Sequence, residues 1–269
     1  MRKNSVILRL ETEIATMSTS NNQLPQMPPT APEWFNTWFN TPYYHLLYRE
    51  RNDQEAHQFM DTLTAYLNLE PGISILDLAC GKGRHAKYLH DLGFQVTGLD
   101  LSEASIKEAS EFSTEGLVFK QHDMREPIGQ QFDAVFNLFT SFGYFSDDND
   151  HVKALQSIQG ALAENGLAVI DFMNMAWVLE QLVPEEHKTV DDITFCIKRF
   201  TQDGFLYKHI SFEDQGQTFD FHERVRTFSL SDFETMFDQA GLTLLAVFGN
   251  YKLHPFHAAN SERLIMLLM

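Results

Sequence analysis

The segment from Ile75 to Ala86 reads Ile-Leu-Asp-Leu-Ala-Cys-Gly-Lys-Gly-Arg-His-Ala and is the part of the sequence that decides the fold. An apolar run leads into a glycine-rich turn, and the turn leads into a segment with helical patterning. Gly81 and Gly83 have no Cβ, so the backbone of this turn can approach a ligand closely. The segment therefore predicts a strand, a ligand-binding turn and a helix.

Apolar runs alternate with helical segments after this unit, which predicts a parallel α/β sheet. The predicted strands span residues 73–78, 95–100, 117–121, 132–138 and 167–172, and the helices between them span 83–92, 103–112 and 147–163. A capping box at Ser231–Glu234 predicts a helix to about residue 241, followed by strands at 243–249 and 263–268.

The alternation of strands and helices stops between residues 177 and 226, where apolar and polar residues alternate in three consecutive runs. These runs, at 193–199, 205–212 and 218–225, are separated by turn residues and predict antiparallel strands. The predicted fold class is therefore α/β. We expect a Rossmann-like, mostly parallel sheet of seven strands with helices on both faces and an antiparallel β insertion after the fifth strand.

The amino-terminal part of the chain has a different composition. Residues 1–32 are polar and proline-rich and are predicted to form a disordered tail, which leaves 33–269 as one domain. Residues 34–69 show helical spacing and predict two helices, the first of them rich in aromatic residues up to Tyr48.

Charge and cysteine content limit the function. The net charge of -17, from 37 acidic and 20 basic residues, opposes binding to nucleic acid or to an anionic membrane. The chain has only two cysteines and no apolar run near the roughly 18 residues of a membrane span. We predict a soluble, cytoplasmic protein that binds a small molecule, with no metal site; a homodimer is possible.

Three carboxylates lie at or just past the ends of successive predicted strands. They are Asp77, Asp100 and Asp123, and ligands of parallel sheets bind at this edge. A dinucleotide would place its pyrophosphate near Asp77, which would repel it. S-adenosylmethionine (SAM) instead brings an ammonium and a sulfonium, which a carboxylate attracts. The pattern favours SAM, while an NAD-dependent oxidoreductase remains an alternative.

The segment from Ile73 to Phe172 resembles a class I SAM-dependent methyltransferase. The resemblance implies that Asp77, Gly81 and Gly83 lie under the methionine part of SAM, that Asp100 binds the ribose, and that Asp123 and Met124 frame the adenine. Four neighbouring residues complete the cofactor-binding set that the resemblance implies: Ala79, Leu101, Asn137 and Leu138.

A narrower resemblance comes from residues 139–144, from residues 122–125 and from the insertion. These segments are similar to small-molecule N-methyltransferases of the amino-sugar and glycine types. The resemblance implies that the insertion forms a lid or floor for the acceptor, that Tyr144 orients or deprotonates it, and that Tyr44 closes over the methionine end of SAM.

An amine acceptor must lose a proton before it can attack the methyl group. The candidate bases are Tyr144, His122, His209 and His222, and His222 completes the predicted catalytic set with Tyr144 and Tyr44. Methyl transfer needs no metal, because the sulfonium is already activated. The sequence predicts methyl transfer to a small molecule. An amine is the favoured acceptor group, ahead of a hydroxyl or a carboxylate. The remaining alternative is a SAM-binding regulatory or partner protein without turnover.

Overall fold

The computed structural model of the protein describes residues 34–49 and 53–269. The predicted tail, residues 1–32, lies outside the described residues. Among the described residues, no helix has the length and apolar character needed to cross a membrane.

A seven-stranded sheet forms the centre of the molecule. Its strands are β1 (Ser74–Leu78), β2 (Gln95–Asp100), β3 (Leu117–Gln121), β4 (Phe132–Asn137), β5 (Leu162–Met173), β10 (Leu244–Phe248) and β11 (Arg263–Leu268). Their order across the sheet is β10-β11-β5-β4-β1-β2-β3. The first five are parallel, and β11 is antiparallel to both of its neighbours, β5 and β10. The predicted mostly parallel sheet is confirmed.

Helices cover both faces of this sheet. They are α1 (Trp34–Trp38), α2 (Pro42–Leu47), α3 (Asp53–Tyr66), α4 (Arg84–Asp91), α5 (Glu103–Ala109), α6 (Asp148–Gly160), α7 (Met175–Glu180) and α8 (Leu230–Ala240). One apolar cluster joins α3, α4 and α5 to the sheet, and a second joins α1, α6 and α8 to it. Burial of these two apolar layers supplies the main free energy that holds the fold together.

The insertion forms a separate antiparallel sheet of four strands, β6 (Glu185–Val190), β7 (Ile193–Gln202), β8 (Phe205–Asp214) and β9 (Gln217–Arg226). They lie in sequence order across the sheet. Its inner face packs on α1 and α2: the ring centroids of Trp38 and Phe221 are 4.4 Å apart, and those of Tyr43 and Phe212 are 4.7 Å apart. The antiparallel insertion after the fifth strand is therefore confirmed.

Three details of the sequence prediction were wrong. The described part of the amino-terminal region contains three helices instead of two, because a turn after Trp38 separates α1 from α2. Neither strand β6 nor helix α7 was predicted. The capping box of α8 is formed by Ser229 and Asp232 instead of Ser231 and Glu234, since the Ser229 side chain accepts from the Asp232 backbone N–H and Asp232 bonds back to the Ser229 backbone.

Candidate active site

A cavity of about 440 Å³ opens at the carboxyl edge of the main sheet, where the chain leaves β1, β2, β3 and β4. Nine of the predicted site residues line this cavity: Ala79, Gly81, Asp100, Leu101, Asp123, Met124, Leu138, Tyr44 and Tyr144. Four predicted residues do not line it: Asp77, Gly83, Asn137 and His222. We call this space the cofactor crevice.

The glycine-rich turn after β1 forms the floor of the crevice and adopts left-handed backbone conformations. The φ angles of Ala79, Gly81 and Gly83 are +64°, +56° and +77°. Gly83 caps the start of α4, and a Cβ there would lie 2.6 Å from a ring carbon of Phe119. A Cβ on Gly81 would meet no protein atom within 4 Å, so the space over Gly81 is open to a ligand.

Asp100 at the end of β2 joins two of the turns that line the crevice. One carboxylate oxygen accepts from Gly81 N at 2.8 Å, and the other accepts from Ser102 N at 2.8 Å. Burial raises the pKa of this carboxyl group, while both backbone hydrogen bonds oppose the rise. Because each carboxylate oxygen has a second lone pair, Asp100 can still accept hydrogen bonds from a diol in the crevice. The carboxylate of Asp100 also accepts the hydrogen bond from Gly81 N–H, a donor that a bound pyrophosphate would need.

Asp77 has a different environment from the one expected. Its side chain is only 2% exposed, and its Oδ2 accepts from Ala86 N at 3.1 Å. The carboxyl group therefore binds the first turn of α4 instead of facing the crevice. Burial raises its pKa to about 7, and the nearby charge of Asp100 adds to that rise. The sequence-based argument that Asp77 contacts the cations of SAM is not supported by this position.

The residues after β3 offer both polar and apolar contacts. Asp123 holds Arg125 with both oxygens, at 2.6 Å from Oδ2 to a terminal guanidinium nitrogen and at 3.0 Å from Oδ1 to Nε. Although partial burial raises the pKa of Asp123, the hydrogen bonds and charge of Arg125 lower it overall, so the side chain is ionised at neutral pH. Met124 packs beside it as a half-buried apolar side chain.

Strained backbone follows β4 on the side of the crevice opposite β2. Phe139 and Thr140 have φ angles of +57° and +62°, which side chains with a Cβ rarely adopt outside functional sites. The loop is held by Asp171, which accepts from Phe139 N at 2.9 Å and from Arg263 Nε at 2.8 Å. Arg263 also donates to Thr140 Oγ1 at 2.8 Å. Asn137, by contrast, is fully buried and donates to Leu78 O at 2.9 Å.

The sequence analysis missed Asp171 and Arg263. Asp171 lies inside an otherwise apolar run that predicts a strand, and Arg263 begins another; a buried charge in such a run needs a partner. That signal was present in the sequence, although it does not show that the two residues pair.

A second cavity, of about 530 Å³, lies between the inner face of the insertion sheet and α7. Its polar wall contains two ion pairs, Glu186–Arg199 at 3.1 Å and Lys208–Glu223 at 3.7 Å. Glu223 Oε1 also accepts from Trp38 Nε1 and from the Tyr48 hydroxyl, each at 2.7 Å. We call this space the inner cavity.

Six residues line both cavities, and five of them are aromatic: Phe39, Tyr44, Tyr48, Phe139, Thr140 and Tyr144. The Tyr144 hydroxyl donates to the carbonyl of Thr140. Tyr44 and Tyr144 both pack against Phe39, with centroid distances of 4.8 and 5.6 Å. The structure therefore brings the two predicted tyrosines together at the junction of the cavities.

His222 does not join them. Side chains of a strand alternate between its two faces, and Phe221 and Glu223 occupy the inner face of β9, so His222 lies on the outer face. There it stacks on His209, with ring centroids 4.6 Å apart. Burial, followed by the charge of His209, lowers its pKa. The prediction that His222 acts at the active site is not supported by this placement.

The fold and the crevice define an α/β domain that binds a nucleoside-type ligand at the carboxyl edge of its sheet. Residues 48–247 match the Methyltransferase domain family. The protein YqeM of Bacillus subtilis (strain 168), whose name assigns it a methyltransferase activity provisionally, is 31% identical over 71% of this chain and 81% of its own length. The chain therefore belongs to the methyltransferase domain family.

Other relatives agree with this assignment. A dTDP-3-amino-3,4,6-trideoxy-alpha-D-glucopyranose N,N-dimethyltransferase of Streptomyces venezuelae is 26% identical over 74% of this chain and 88% of its own length. Glycine N-methyltransferase of Rattus norvegicus is 31% identical over 39% of this chain and 42% of its own length. A SAM-dependent methyltransferase structure from Clostridium acetobutylicum ATCC 824 has a TM-score of 0.71 and 22% identity, covering 84% of this chain and 95% of that one.

The protein is a SAM-dependent methyltransferase, and SAM is its cofactor. The resemblance to amino-sugar and glycine N-methyltransferases is confirmed. None of these matches supports the two alternatives, an NAD-dependent oxidoreductase and a SAM-binding protein without turnover.

Proposed function

We propose that the enzyme methylates the amine of a small molecule that binds in the inner cavity, while SAM occupies the cofactor crevice. The observation that carries the proposal is the junction of the two cavities, which is walled by five aromatic rings. A nitrogen acceptor becomes a cation as the methyl group arrives, whereas a hydroxyl acceptor ends as a neutral ether. Aromatic faces attract such a cation, as they attract the sulfonium of SAM.

The crevice supports a definite orientation of SAM. Asp100 would bind the ribose hydroxyls, and Asp123 with Met124 would frame the adenine. The open space over Gly81 would take the methionine part, and Tyr44 would cover it from α2. Asp77 and Gly83 would hold the turn and α4 in place without touching the ligand.

The polar wall of the inner cavity supports a charged or strongly polar acceptor, because its two ion pairs offer both signs of charge. The names of the relatives point the same way, since they describe methyltransferases of an amino sugar and of glycine. Within this wall, Glu223 holds Lys208 as an ammonium, so neither Lys208 nor His222 is assigned as the base. The acceptor would react as the free amine: its lone pair would attack the methyl carbon, S-adenosylhomocysteine would leave, and the methylated ammonium would lose its proton to solvent.

A methyl-transfer assay tests the proposal. Radiolabelled SAM is offered with a panel of small amines, amino sugars and amino acids, and with analogues in which a hydroxyl replaces the amine. We expect labelled product from at least one amine and none from its hydroxyl analogue. Labelling of hydroxyl or carboxylate compounds alone would refute the amine assignment.

Two variants of Tyr144 separate its ring from its hydroxyl. Tyr144→Phe keeps the ring and should keep turnover of the identified amine within about threefold, whereas Tyr144→Leu removes the ring and should lower it about tenfold, as expected for a cation–π contact of about 1–2 kcal/mol. An equal loss in both variants would instead support the role of the hydroxyl in orienting or deprotonating the acceptor.

A further inference from the structure

The outer face of the insertion sheet, which points away from α1 and α2, carries polar side chains that the methyl transfer does not use. The strand register sets them in two rows across the sheet. One row is Glu185, Lys198, His209 and His222, and the next is His187, Cys196, Ser211 and Asp220. Rows of this kind bring side chains from different strands within contact distance.

Three of these residues converge at the β8–β9 end of the rows. Asp220 accepts from His209 Nε2 at 2.6 Å, and its second oxygen lies 3.4 Å from His222 Nδ1. One donor atom from each of the three residues lies within 4.8 Å of the other two. The two imidazole side chains are only 22% and 15% exposed, so the backbone and their neighbours restrict their positions.

The donor set suits a late first-row divalent metal such as zinc. Two imidazole nitrogens and one carboxylate oxygen form a common ligand set for zinc, with bonds of about 2.0–2.2 Å and a fourth position left to water. Ligand atoms on one tetrahedral zinc then lie about 3.3–3.6 Å apart, a range that includes the His222–Asp220 distance of 3.4 Å, whereas the 2.6 Å contact of His209 with Asp220 would lengthen when the metal binds. Calcium and magnesium prefer sites made of oxygen atoms and fit this set poorly.

A second group of possible ligands, Glu185, His187 and Cys196, lies at the β6–β7 end of the same rows. The carboxylates of the two groups are equally exposed, but the His187 side chain is 62% exposed, against 22% and 15% for His209 and His222, and His187 Nε2 lies 3.7 Å from Glu185. Such side chains must lose more conformational freedom before they can bind an ion. The trio of His209, Asp220 and His222 is therefore the better site.

We propose that His209, Asp220 and His222 bind a zinc-type divalent metal that links β8 to β9 on the outer face of the insertion sheet. The metal would take no part in methyl transfer, because the active site lies on the other face. Its effect would be structural: residues Phe221 and Glu223, which β9 presents to α1 and to the inner cavity, alternate in sequence with the two ligands of the same strand.

Metal binding by the tag-free protein tests the proposal. The protein is dialysed against buffered Zn²⁺, and the bound metal is measured by elemental analysis, with Co²⁺ absorption in the visible range as a second probe of nitrogen and oxygen ligands. We expect one equivalent of Zn²⁺ and a higher unfolding temperature when it is bound. His209→Ala and His222→Gln should each weaken binding more than about 100-fold, since even the loss of an outer-shell partner costs about 10- to 100-fold.

Asp220→Asn is the most conservative variant, because an amide keeps the shape of the side chain and can still accept from His209. It should also lose the metal, and its SAM affinity reports whether it is folded. His187→Ala, in the second group, is the matched control and should retain full binding. Absence of Zn²⁺ at micromolar free metal, or equal binding by the His222→Gln variant, would overturn the proposal.

Discussion

The cofactor crevice and the inner cavity adjoin each other, yet their walls are built in different ways. The crevice depends on backbone: turns after parallel strands, left-handed residues and N–H groups held by Asp100. The inner face depends on long charged side chains that neutralise one another in pairs. A site made of backbone needs particular residues at particular turns, whereas a site made of side chains can change its ligand by substitution.

SAM affinity should be controlled by the turns of the parallel sheet and should be insensitive to the insertion sheet, which should control the acceptor instead. Four tests, in order of decreasing expected effect on SAM affinity, can break or sharpen this division.

Asp100→Asn should have the largest effect. An amide puts an NH₂ group against one of the two N–H donors that the carboxylate now accepts from, and it removes the charge-assisted bonds to the ribose. We expect SAM binding to weaken about 100-fold, or about 3 kcal/mol, in calorimetric titrations. Asp133→Asn is the matched control: Asp133 also accepts two hydrogen bonds, both from Ser74 at the amino end of β1, so SAM affinity should not change.

The glycine pair of the turn should separate ligand contact from folding. In Gly81→Ala the added methyl meets no protein atom, so stability should fall only by the roughly 1–2 kcal/mol of a left-handed alanine, while SAM binding weakens about tenfold or more through a steric clash. In Gly83→Ala the methyl would overlap Phe119, which should lower the free energy of unfolding by about 2–4 kcal/mol. Thermal unfolding and SAM titration of both variants check this. The reverse pattern would mean that the open space over Gly81 is not the ligand site.

Asp77→Asn should have less than a threefold effect on SAM affinity, because the side chain binds Ala86 N instead of lining the crevice.

The effect of Asp77→Asn on the free energy of unfolding should depend on pH. The folded pKa of about 7 lies above that of an unfolded Asp, so the stability contributed by the neutral acid is lost as pH rises from about 4 to about 7. The amide avoids that loss. Thermal unfolding should show the variant gaining more over the wild type at about pH 8 than at about pH 5.5. A large loss of SAM affinity would instead support the contact between Asp77 and SAM that the sequence suggested.

Much of the main sheet could be predicted from sequence, because each of its parallel strands is marked by a short local pattern of residues. Strands β2 and β3 have the predicted bounds because each is an apolar run closed by polar residues. Asp100 and Asp123 were placed in the crevice because the carboxyl ends of parallel strands meet at one edge. The same reasoning failed for Asp77, since the direction of a side chain within a strand depends on sheet register and twist, which the sequence does not state.

The insertion was harder to predict in detail. Strand β6 carries the polar sequence Glu-Glu-His-Lys-Thr-Val, as edge strands often do, and so lacked an apolar signal. His222 and Glu223 are adjacent in sequence, and only the structure shows that Glu223 faces the inner cavity. The pairing of Asp171 with Arg263 joins residues 92 positions apart, which no local pattern could reveal.

Glu223→Gln should leave SAM affinity unchanged and is therefore the sharpest test of the division between the two regions. The amide oxygen can still accept from Trp38 and Tyr48, but the charge that offsets Lys208 is lost. We expect the free energy of unfolding to fall by about 1–3 kcal/mol, because Lys208 is left largely buried with a weaker partner. Once an acceptor is known, its kcat/KM should fall as well.

Asp191→Asn provides the control for Glu223→Gln, since it makes the same chemical change in an ion pair that also joins the amino-terminal helices to the insertion sheet. The Arg49–Asp191 pair is more than half exposed, and such pairs contribute about 0–1 kcal/mol. Its loss should change neither stability nor turnover appreciably. If Glu223→Gln weakened SAM binding as strongly as Asp100→Asn while Asp191→Asn did not, the two cavities would form one coupled site, and the cofactor could not be assigned to the parallel sheet alone.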